Sequence, residues 1–375
     1  MTKEPPEVAI IGFGQTTHVA ADLDRDEAAM VQAATAAALA DAGLRRSDVG
    51  FWCSGSCDYT LGKPFSFVTA LEGAGLWPPV AESHVEGDAA WAVYEAWVHL
   101  LAGHADIAVV YGFGRASVCD IEEVLALQLD PYALQPLGVT QTALSAIQAR
   151  QLYEAGRITG VEVEEVVRRS FAAARQNPAA VAFRERWGGD DTSGDVLLGA
   201  AQPYPPLRHR ELPVWTDGAA AVVLARRDAA VLTGRDGAAR SPPRTAWIAG
   251  MEHRIDPHGL GVRSLLDAPS VRGAAEALGV PGRVPDVVEV SAPTAPQELL
   301  VLECLGLKGA VARSRVVVNP SGGARCAWTP MVAGLVRIGE AAARVRDGTA
   351  GSALAHATSG PCLQHNLLCL LEGGP

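Results

Sequence analysis

The sequence has few lysines, no basic cluster and no long apolar run. Only three of its 375 residues are lysine, Lys3, Lys63 and Lys308, and the formal net charge is −11. Because nucleic acid phosphates need a basic stripe, we expect no nucleic acid partner. No apolar run approaches the ~20 residues that cross a bilayer. No N-terminal stretch combines a basic start with an apolar run, so we expect no secretory signal.

Cysteine supplies no covalent framework. The seven cysteines are odd in number and irregularly spaced, and three residues, not two, separate Cys53 from Cys57. This spacing fits neither a disulfide set nor a zinc site, so we expect reduced thiols, no metal and a cytoplasmic protein. The IGFGQT segment lacks the third glycine of a dinucleotide-binding loop, so it predicts no nucleotide site.

What the chain does contain is an internal duplication. A series of strands and helices at 8–114 is followed by a similar series at 245–360. Each series contains a helix-like stretch, 26–43 in the first and 270–278 in the second, that ends at a glycine, as helix C-termini do. Strand-like apolar runs follow it in both series. Two copies of one unit pack best as halves around a shared core, with the reactive surface where their corresponding loops meet.

The composition between the halves is different. The region at about 115–210 contains predicted helices and then a Gly/Asp/Pro-rich run, which is typical of an inserted cap or loop domain. The predicted helices there are 120–129, 140–155 and 162–176. The strand TDGAAAVVLARR closes the first half, and 233–244 is the expected linker. We therefore predict two units, 1–240 and 245–375.

Three segments resemble the thiolase superfamily. WTDGAAAVVLA (215–225) is similar to its DGAAA strand, VVVNPSGG (316–323) to its NPSGG loop, and QELLVLECLGL (297–307) to the helix after its HDCF-like segment. The branch that the chain resembles most is the lipid-transfer (sterol-carrier-type) thiolases, which include bacterial steroid side-chain aldolases. The resemblance implies an α/β fold of two similar βαβαβ halves, layered α/β/α/β/α, with an inserted loop region.

The catalytic positions of that family are changed. A thiolase uses a cysteine nucleophile at a helix N-terminus, where the dipole and backbone N–H groups stabilise a thiolate, together with two histidines. The matching positions here are Glu86, Ser291 and Thr329. We therefore expect no thioester exchange through a cysteinyl intermediate.

Glu86 and Asp88 are expected in the first turn of the helix that carries the nucleophile in thiolases. One interpretation is helix capping by acidic residues. The other is a carboxylate facing the pocket, with a pKa lowered by the helix dipole or raised by burial near Trp77, Trp91 and Trp97.

Other polar residues give weaker hypotheses. Tyr59, beside Asp58, follows a predicted strand end, where α/β folds place ligand loops; the alternative is an interface loop. Cys362 and His365 are the best candidates for a thiol–imidazole pair. The alternative interpretation, which is the commoner case for cysteines, is that Cys326 and Cys362 are buried thiols without a catalytic role.

The resemblance also implies thioester contacts. The backbones of Gly322, Gly323 and Gly360, with Asn319, are the expected contacts, because close approach to a thioester carbonyl needs glycine. Tight turns are the alternative explanation for the glycines.

The leading hypothesis is a carbon–carbon lyase, or a subunit of one, that performs retro-aldol cleavage of a bulky β-hydroxyacyl-CoA such as a steroid side chain. Such a reaction needs a base for the hydroxyl proton and donors for the enolate oxygen. The alternatives are an acyltransferase with a relocated cysteine, and a non-catalytic scaffold that binds lipid thioesters and supports an active partner.

The resemblance implies partners as well. We expect a homodimer, or a dimer with a second thiolase-like chain, because sheet edges need covering. A small OB-fold, zinc-ribbon acyl-CoA-binding protein is a further expected partner. The expected substrate is an acyl-CoA, and we expect no cofactor.

The tyrosines depart from the pattern of that branch. Its aldolases use tyrosines of the C-terminal half as the general acid and base, whereas all six tyrosines here precede residue 205.

Overall fold

The computed structural model describes residues 7–75, 80–187, 204–233 and 244–374. Trp77, most of the Gly/Asp/Pro-rich run and almost all of the expected linker at 233–244 lie outside the described residues. The predicted boundary between the two units therefore stays a prediction.

The described residues form ten strands in one continuous array. The strands are β1 (Val8–Gln15), β2 (Phe51–Ser56), β3 (Ala81–Glu86), β4 (Ile107–Arg115), β5 (Asp217–Arg226), β6 (Ala246–Ile255), β7 (Val287–Val290), β8 (Val317–Val318), β9 (Ser352–Ser359) and β10 (His365–Gly373). Their spatial order is β3-β2-β4-β5-β1-β6-β10-β9-β7-β8.

This order contains the duplication. The first five strands run β3-β2-β4-β5-β1 from the edge to the centre, and the second five run β8-β7-β9-β10-β6 in the corresponding sequence. In both halves the outer three strands are parallel and the inner pairs antiparallel. The halves join through two residue pairs between β1 and β6, Ala9 with Trp247 and Ile10 with Ala246.

Helices cover both faces of each half. The described helices are α1 (Glu27–Ala42), α2 (Asp58–Leu61), α3 (Ser66–Ala74), α4 (Ala89–Leu101), α5 (Ile121–Ala126), α6 (Gln141–Glu154), α7 (Gly160–Gln176), α8 (Val181–Trp187), α9 (Ala230–Thr233), α10 (Pro269–Ala277), α11 (Ala295–Cys304), α12 (Lys308–Ala312) and α13 (Ala333–Arg346). None of the helices in these described ranges is both long and apolar enough to cross a membrane.

The core divides into three layers of side chains. The central layer combines α4 and α13 with the inner faces of both sets of strands. One outer layer packs α1 and α3 against the first half, and the other packs α7, α10 and α11 against the second. The layering is therefore α/β/α/β/α, as the resemblance to thiolases implied, and α4 and α13 are the two helices that meet at the centre.

Local sequence explains several element ends. Asp26 caps α1 through the Ala29 N–H, and Gly43 ends it in the left-handed conformation that a side chain disfavours. Thr159 and Glu162 form a capping box at α7. Gly55 lets β2 approach α4, because a Cβ there would lie 2.5 Å from the Ala89 Cα.

The prediction for the start of α4 is wrong. The sequence placed Glu86 in its first turn, whereas residues 81–86 form β3 and the helix begins at Ala89. Strand β3 is polar and pairs with β2 alone, so it lacks the apolar alternation that reveals a strand. The short β8 and the C-terminal β10 were also not predicted from the sequence, so each half has five strands where the sequence indicated fewer.

Candidate active-site cavity

A cavity lies where loops of both halves meet. It contains about 790 Å³ of empty space, its open mouth included. The inserted region supplies Glu122, Leu125, Gln128, Gln141, Thr142 and Ser145, and the loop before α4 supplies Asp88. The remaining lining residues are Pro213, Trp215, Pro293, Thr294, Trp328, Pro330, Met331, Thr358, Ser359, Gly360 and Cys362.

Asp88 is the N-cap of α4 and links two helices. Its Oδ1 accepts hydrogen bonds from the N–H groups of Ala90 (2.9 Å) and Leu335 (3.2 Å), and its Oδ2 accepts from Gly334 (2.9 Å). One carboxyl group therefore closes the N-termini of both central helices. A Cβ at Gly334 would lie 2.6 Å from Oδ1, so this contact needs glycine.

Burial opposes ionisation of Asp88. The residue is 7% exposed, and burial raises the pKa of its carboxyl group against the opposing backbone donors and Arg337. A protonated Asp88 keeps all three N–H contacts, because Oδ1 accepts two, while Oδ2 accepts one and carries the proton. The capping interpretation of Asp88 is confirmed, and the same residue also lines the cavity.

Glu86 and Tyr59 are not among the lining residues. The Glu86 side chain is half-exposed at the end of β3, where its Oε1 accepts the Asp58 N–H at 2.9 Å. Gly87, with φ 153°, then turns the chain so that only Asp88 reaches the cavity. Tyr59 is 66% exposed on α2, and the Asp58 carboxylate is occupied by the N–H groups of Phe65 and Ser66.

Two tryptophans form an aromatic wall of the cavity. The rings of Trp215 and Trp328 meet edge to face, with centroids 6.0 Å apart. A short parallel ladder presents them: the Trp328 N–H donates to the Val214 carbonyl (2.8 Å), and the Thr216 N–H donates to the Trp328 carbonyl (3.0 Å). The wall therefore combines a segment of the first half with one of the second.

Thr329 lies behind this wall in a network of buried side chains. Its Oγ1 is 2.7 Å from both His18 Nδ1 and Thr216 Oγ1. The Gln15 amide donates to Glu340, so its oxygen accepts from His18 Nε2–H at 3.0 Å. His18 Nδ1 must then accept the Thr329 hydroxyl proton.

Burial first, and then nearby Arg337 and Arg25, lower the pKa of His18 to about 4, so it stays neutral. No sequence motif predicts a role for His18, which follows β1. Its importance arises only because Thr329, 311 residues later, packs against it.

The predicted thiol–imidazole pair does not form. Cys362 lines the cavity, but burial raises the pKa of its thiol to about 12. His365 instead accepts a hydrogen bond from the Trp91 indole N–H at 3.0 Å, and none joins it to Cys362 in the described part of the chain. Burial likewise raises the pKa of Cys326 to about 11.

The remaining predicted contacts are distributed differently. Gly360, with φ 74°, lines the cavity. Asn319, Gly322 and Gly323 do not: the Asn319 side chain bonds the Val290 N–H and Glu298, and the NPSGG turn packs on Ala174. Ser291 is buried at the end of β7, and its hydroxyl makes no hydrogen bond to another described residue.

The described residues of the cavity lining include no cationic side chain. Lys, Arg and His are absent from the described residues that line the cavity, whereas Asp88 and Glu122 are present. No cluster of three or more His, Cys, Asp or Glu side chains able to hold a metal occurs among the described residues. The chemistry available here is that of carboxyl groups, hydroxyls and backbone donors.

Comparisons with known proteins bear on the fold. No family model matches the chain, and no curated protein matches it. A solved structure described as an Ltp2-ChsH2(DUF35) aldolase superposes with a TM-score of 0.77 and 22% identity, over 99% of this chain and 99% of that one. Human mitochondrial 3-ketoacyl-CoA thiolase superposes with a TM-score of 0.72 and 16% identity, over 98% and 99%. These likenesses, with the duplicated five-stranded halves, show that the chain has a thiolase-like α/β fold.

Proposed function

We propose that the protein is a carbon–carbon lyase, or the thiolase-fold subunit of one, that cleaves β-hydroxyacyl-CoA thioesters by a retro-aldol reaction. The observation that carries this proposal is Asp88, a buried carboxyl group with a raised pKa at the N-termini of both central helices. Among the described lining residues the only thiol is that of Cys362, and burial raises its pKa to about 12. The likeness to an aldolase of the same fold supports it.

Asp88 suits stabilisation of an enolate. Cleavage of the Cα–Cβ bond leaves negative charge on the thioester oxygen, and a neutral carboxylic acid in an apolar site can donate a hydrogen bond to it. Among the described residues Oδ2 of Asp88 accepts one N–H, which leaves this oxygen able to carry a proton and donate it in a hydrogen bond. No covalent intermediate is needed in this reaction.

The aromatic wall supports a bulky acyl group. Trp215 and Trp328, with Pro213, Pro330 and Leu125, give one side of the cavity a broad apolar surface. Such a surface favours a wide hydrocarbon group, such as a steroid side chain with its rings, since burial of apolar area stabilises binding.

The absence of cations in the described lining supports a protein partner. The phosphates of CoA need positive charge, and a small OB-fold, zinc-ribbon acyl-CoA-binding protein is our proposed source of it. The aldolase neighbour carries a DUF35 protein in its own description. The unpaired edge of β3 favours a second copy, or a second thiolase-like chain, as a further partner.

The experiment is purification of the protein with its native partners and incubation with a steroid β-hydroxyacyl-CoA. We expect a ketone or aldehyde and a shortened acyl-CoA, both identified by mass spectrometry. Asp88→Asn should lower kcat by about 10²-fold or more, the usual loss for one oxyanion donor. Asp26→Asn makes the same chemical change at a helix cap that does not line the cavity, and it should leave kcat unchanged.

Other outcomes decide against the proposal. An acyl adduct on Cys326 or Cys362 would identify an acyltransferase instead. Tight binding of acyl-CoA without turnover, even with every co-purified partner present, would identify a non-catalytic scaffold.

A further inference from the structure

The inserted region brings a second carboxylate to the cavity. Glu122 lies in the first turn of α5 and lines the cavity together with Asp88. Among the described lining residues these are the only two carboxyl groups, and they come from separate parts of the chain. Glu123, the next residue on the same turn, is exposed and does not line the cavity.

One residue of the neighbouring helix orients Glu122. Its Oε1 accepts the Thr142 hydroxyl, and its Oε2 lies 3.4 Å from the Thr142 backbone nitrogen. Within the described ranges no ion pair involves Glu122, unlike Glu162 and Glu165, which pair with Lys308 and Arg168. The cavity therefore holds a positioned carboxylate that forms no ion pair with any described residue.

The two carboxyl groups are built for different tasks. Asp88 is buried and uses three acceptor positions on backbone N–H groups. Glu122 is only partly buried, and among the described residues its carboxylate has a single hydrogen-bonding partner, Thr142. Free acceptor positions on a carboxylate allow it to take a proton from a bound hydroxyl group.

We infer that Glu122 is the general base that takes the β-hydroxyl proton, while Asp88 donates to the thioester oxygen. This inference rests on the proposed function. The proton passes from the hydroxyl to Glu122, the C–O bond becomes a carbonyl, and the Cα–Cβ electron pair becomes the enolate. After the carbonyl product separates, Glu122 returns the proton to Cα, so atoms and charge balance.

The test compares Glu122→Gln, Glu122→Asp and Thr142→Val with the matched control Glu123→Gln, each in the complex with native partners. Glu122→Gln should lower kcat by about 10²–10⁴-fold, as loss of a general base does. Glu122→Asp should retain part of the activity, and Thr142→Val should lose about tenfold because the carboxylate is no longer held. Affinity for the matching enoyl-CoA, which has no hydroxyl, should stay within about threefold in all variants.

Two results would overturn the inference. If the wild type cleaves the substrate and Glu122→Gln keeps the kcat of Glu123→Gln, the base lies elsewhere and the proposed function stands. If the wild type binds enoyl-CoA but does not cleave the β-hydroxyacyl-CoA, the proposed function fails and this inference with it. Should Glu122→Gln not fold, Glu122→Asp and Thr142→Val carry the test, and wild-type kcat in both would overturn it.

Discussion

Replacement of Asp88 by alanine should destabilise the protein far more than loss of an ordinary helix cap. The change removes the acceptor of three backbone N–H groups, from Ala90, Gly334 and Leu335, at a position that is 7% exposed. A buried donor left without a partner costs about 1–3 kcal/mol. Water can reach the site from the cavity and replace part of this loss, so we expect about 3–6 kcal/mol in total.

The matched control is Asp26→Ala. Asp26 caps α1 through one N–H, that of Ala29, at an exposed site, and its loss should cost about 1 kcal/mol. Asp88→Asn should fall between the two, since its amide oxygen keeps two N–H partners while its NH₂ cannot accept from Gly334. The measurement is the free energy of unfolding from urea titration monitored by circular dichroism. Equal losses in Asp88→Ala and Asp26→Ala would refute a cap shared by two helices.

The pH dependence of stability, compared between the wild type and Asp88→Asn, gives a second check. Because burial raises the folded pKa of Asp88 above its ordinary value of 3.8, folding favours the protonated carboxyl group. The unfolding free energy of the wild type, relative to Asp88→Asn, should therefore be greatest below that value and decrease as the pH rises through the folded pKa. A constant difference between the two proteins across this range would contradict the raised pKa.

The remaining predictions concern other buried groups. Burial lowers the pKa values of His18 and His356 from 6.5 to about 4. The free energy of unfolding should therefore decrease as the pH falls from 6.5 to 4, by up to about 3 kcal/mol for each histidine. If His18→Asn shows the same pH dependence of unfolding free energy as the wild type, this prediction is wrong. In a thiol assay on the native protein only the partly exposed Cys119 should react rapidly, and all seven cysteines should react after unfolding; three or more fast thiols would oppose it. Arg337 and Glu289 form a buried ion pair. Arg337→Met should lower the free energy of unfolding by about 3–5 kcal/mol, because it leaves Glu289 unpaired, and the double variant with Glu289→Gln should recover part of this loss. If the losses of the two single variants simply add in the double variant, the two residues are not coupled.

Local patterns were sufficient for most of the framework. The stretch 26–43 became α1, ending before Gly43, and TDGAAAVVLARR became β5, because caps, glycines and apolar periodicity act within a few residues. The polar edge strand β3 was not predicted, since it pairs with β2 on one side and its sequence shows no apolar alternation. Glu86 was consequently placed on a helix, one element away from its true position.

The site depended on contacts that no local pattern encodes. Asp88 was singled out from the sequence as a cap or a pocket carboxylate, and the structure gives it both places at once. Glu122, Trp215, Trp328 and His18 were not singled out, because each looks ordinary among its neighbours in the chain. They matter through partners in other segments, such as Thr142 for Glu122 and Thr329 for His18.

By itself the sequence determined that two similar α/β units would share one core, and that no cysteine stands at the start of α4. Both are properties of residue order and periodicity. Only the tertiary structure decided which side chains converge. Asp88 meets α13 from 246 residues away, and the inserted helices carry Glu122 into the same cavity. Convergence over such separations follows from how strands pair and layers stack, and that is settled only when the whole chain has folded.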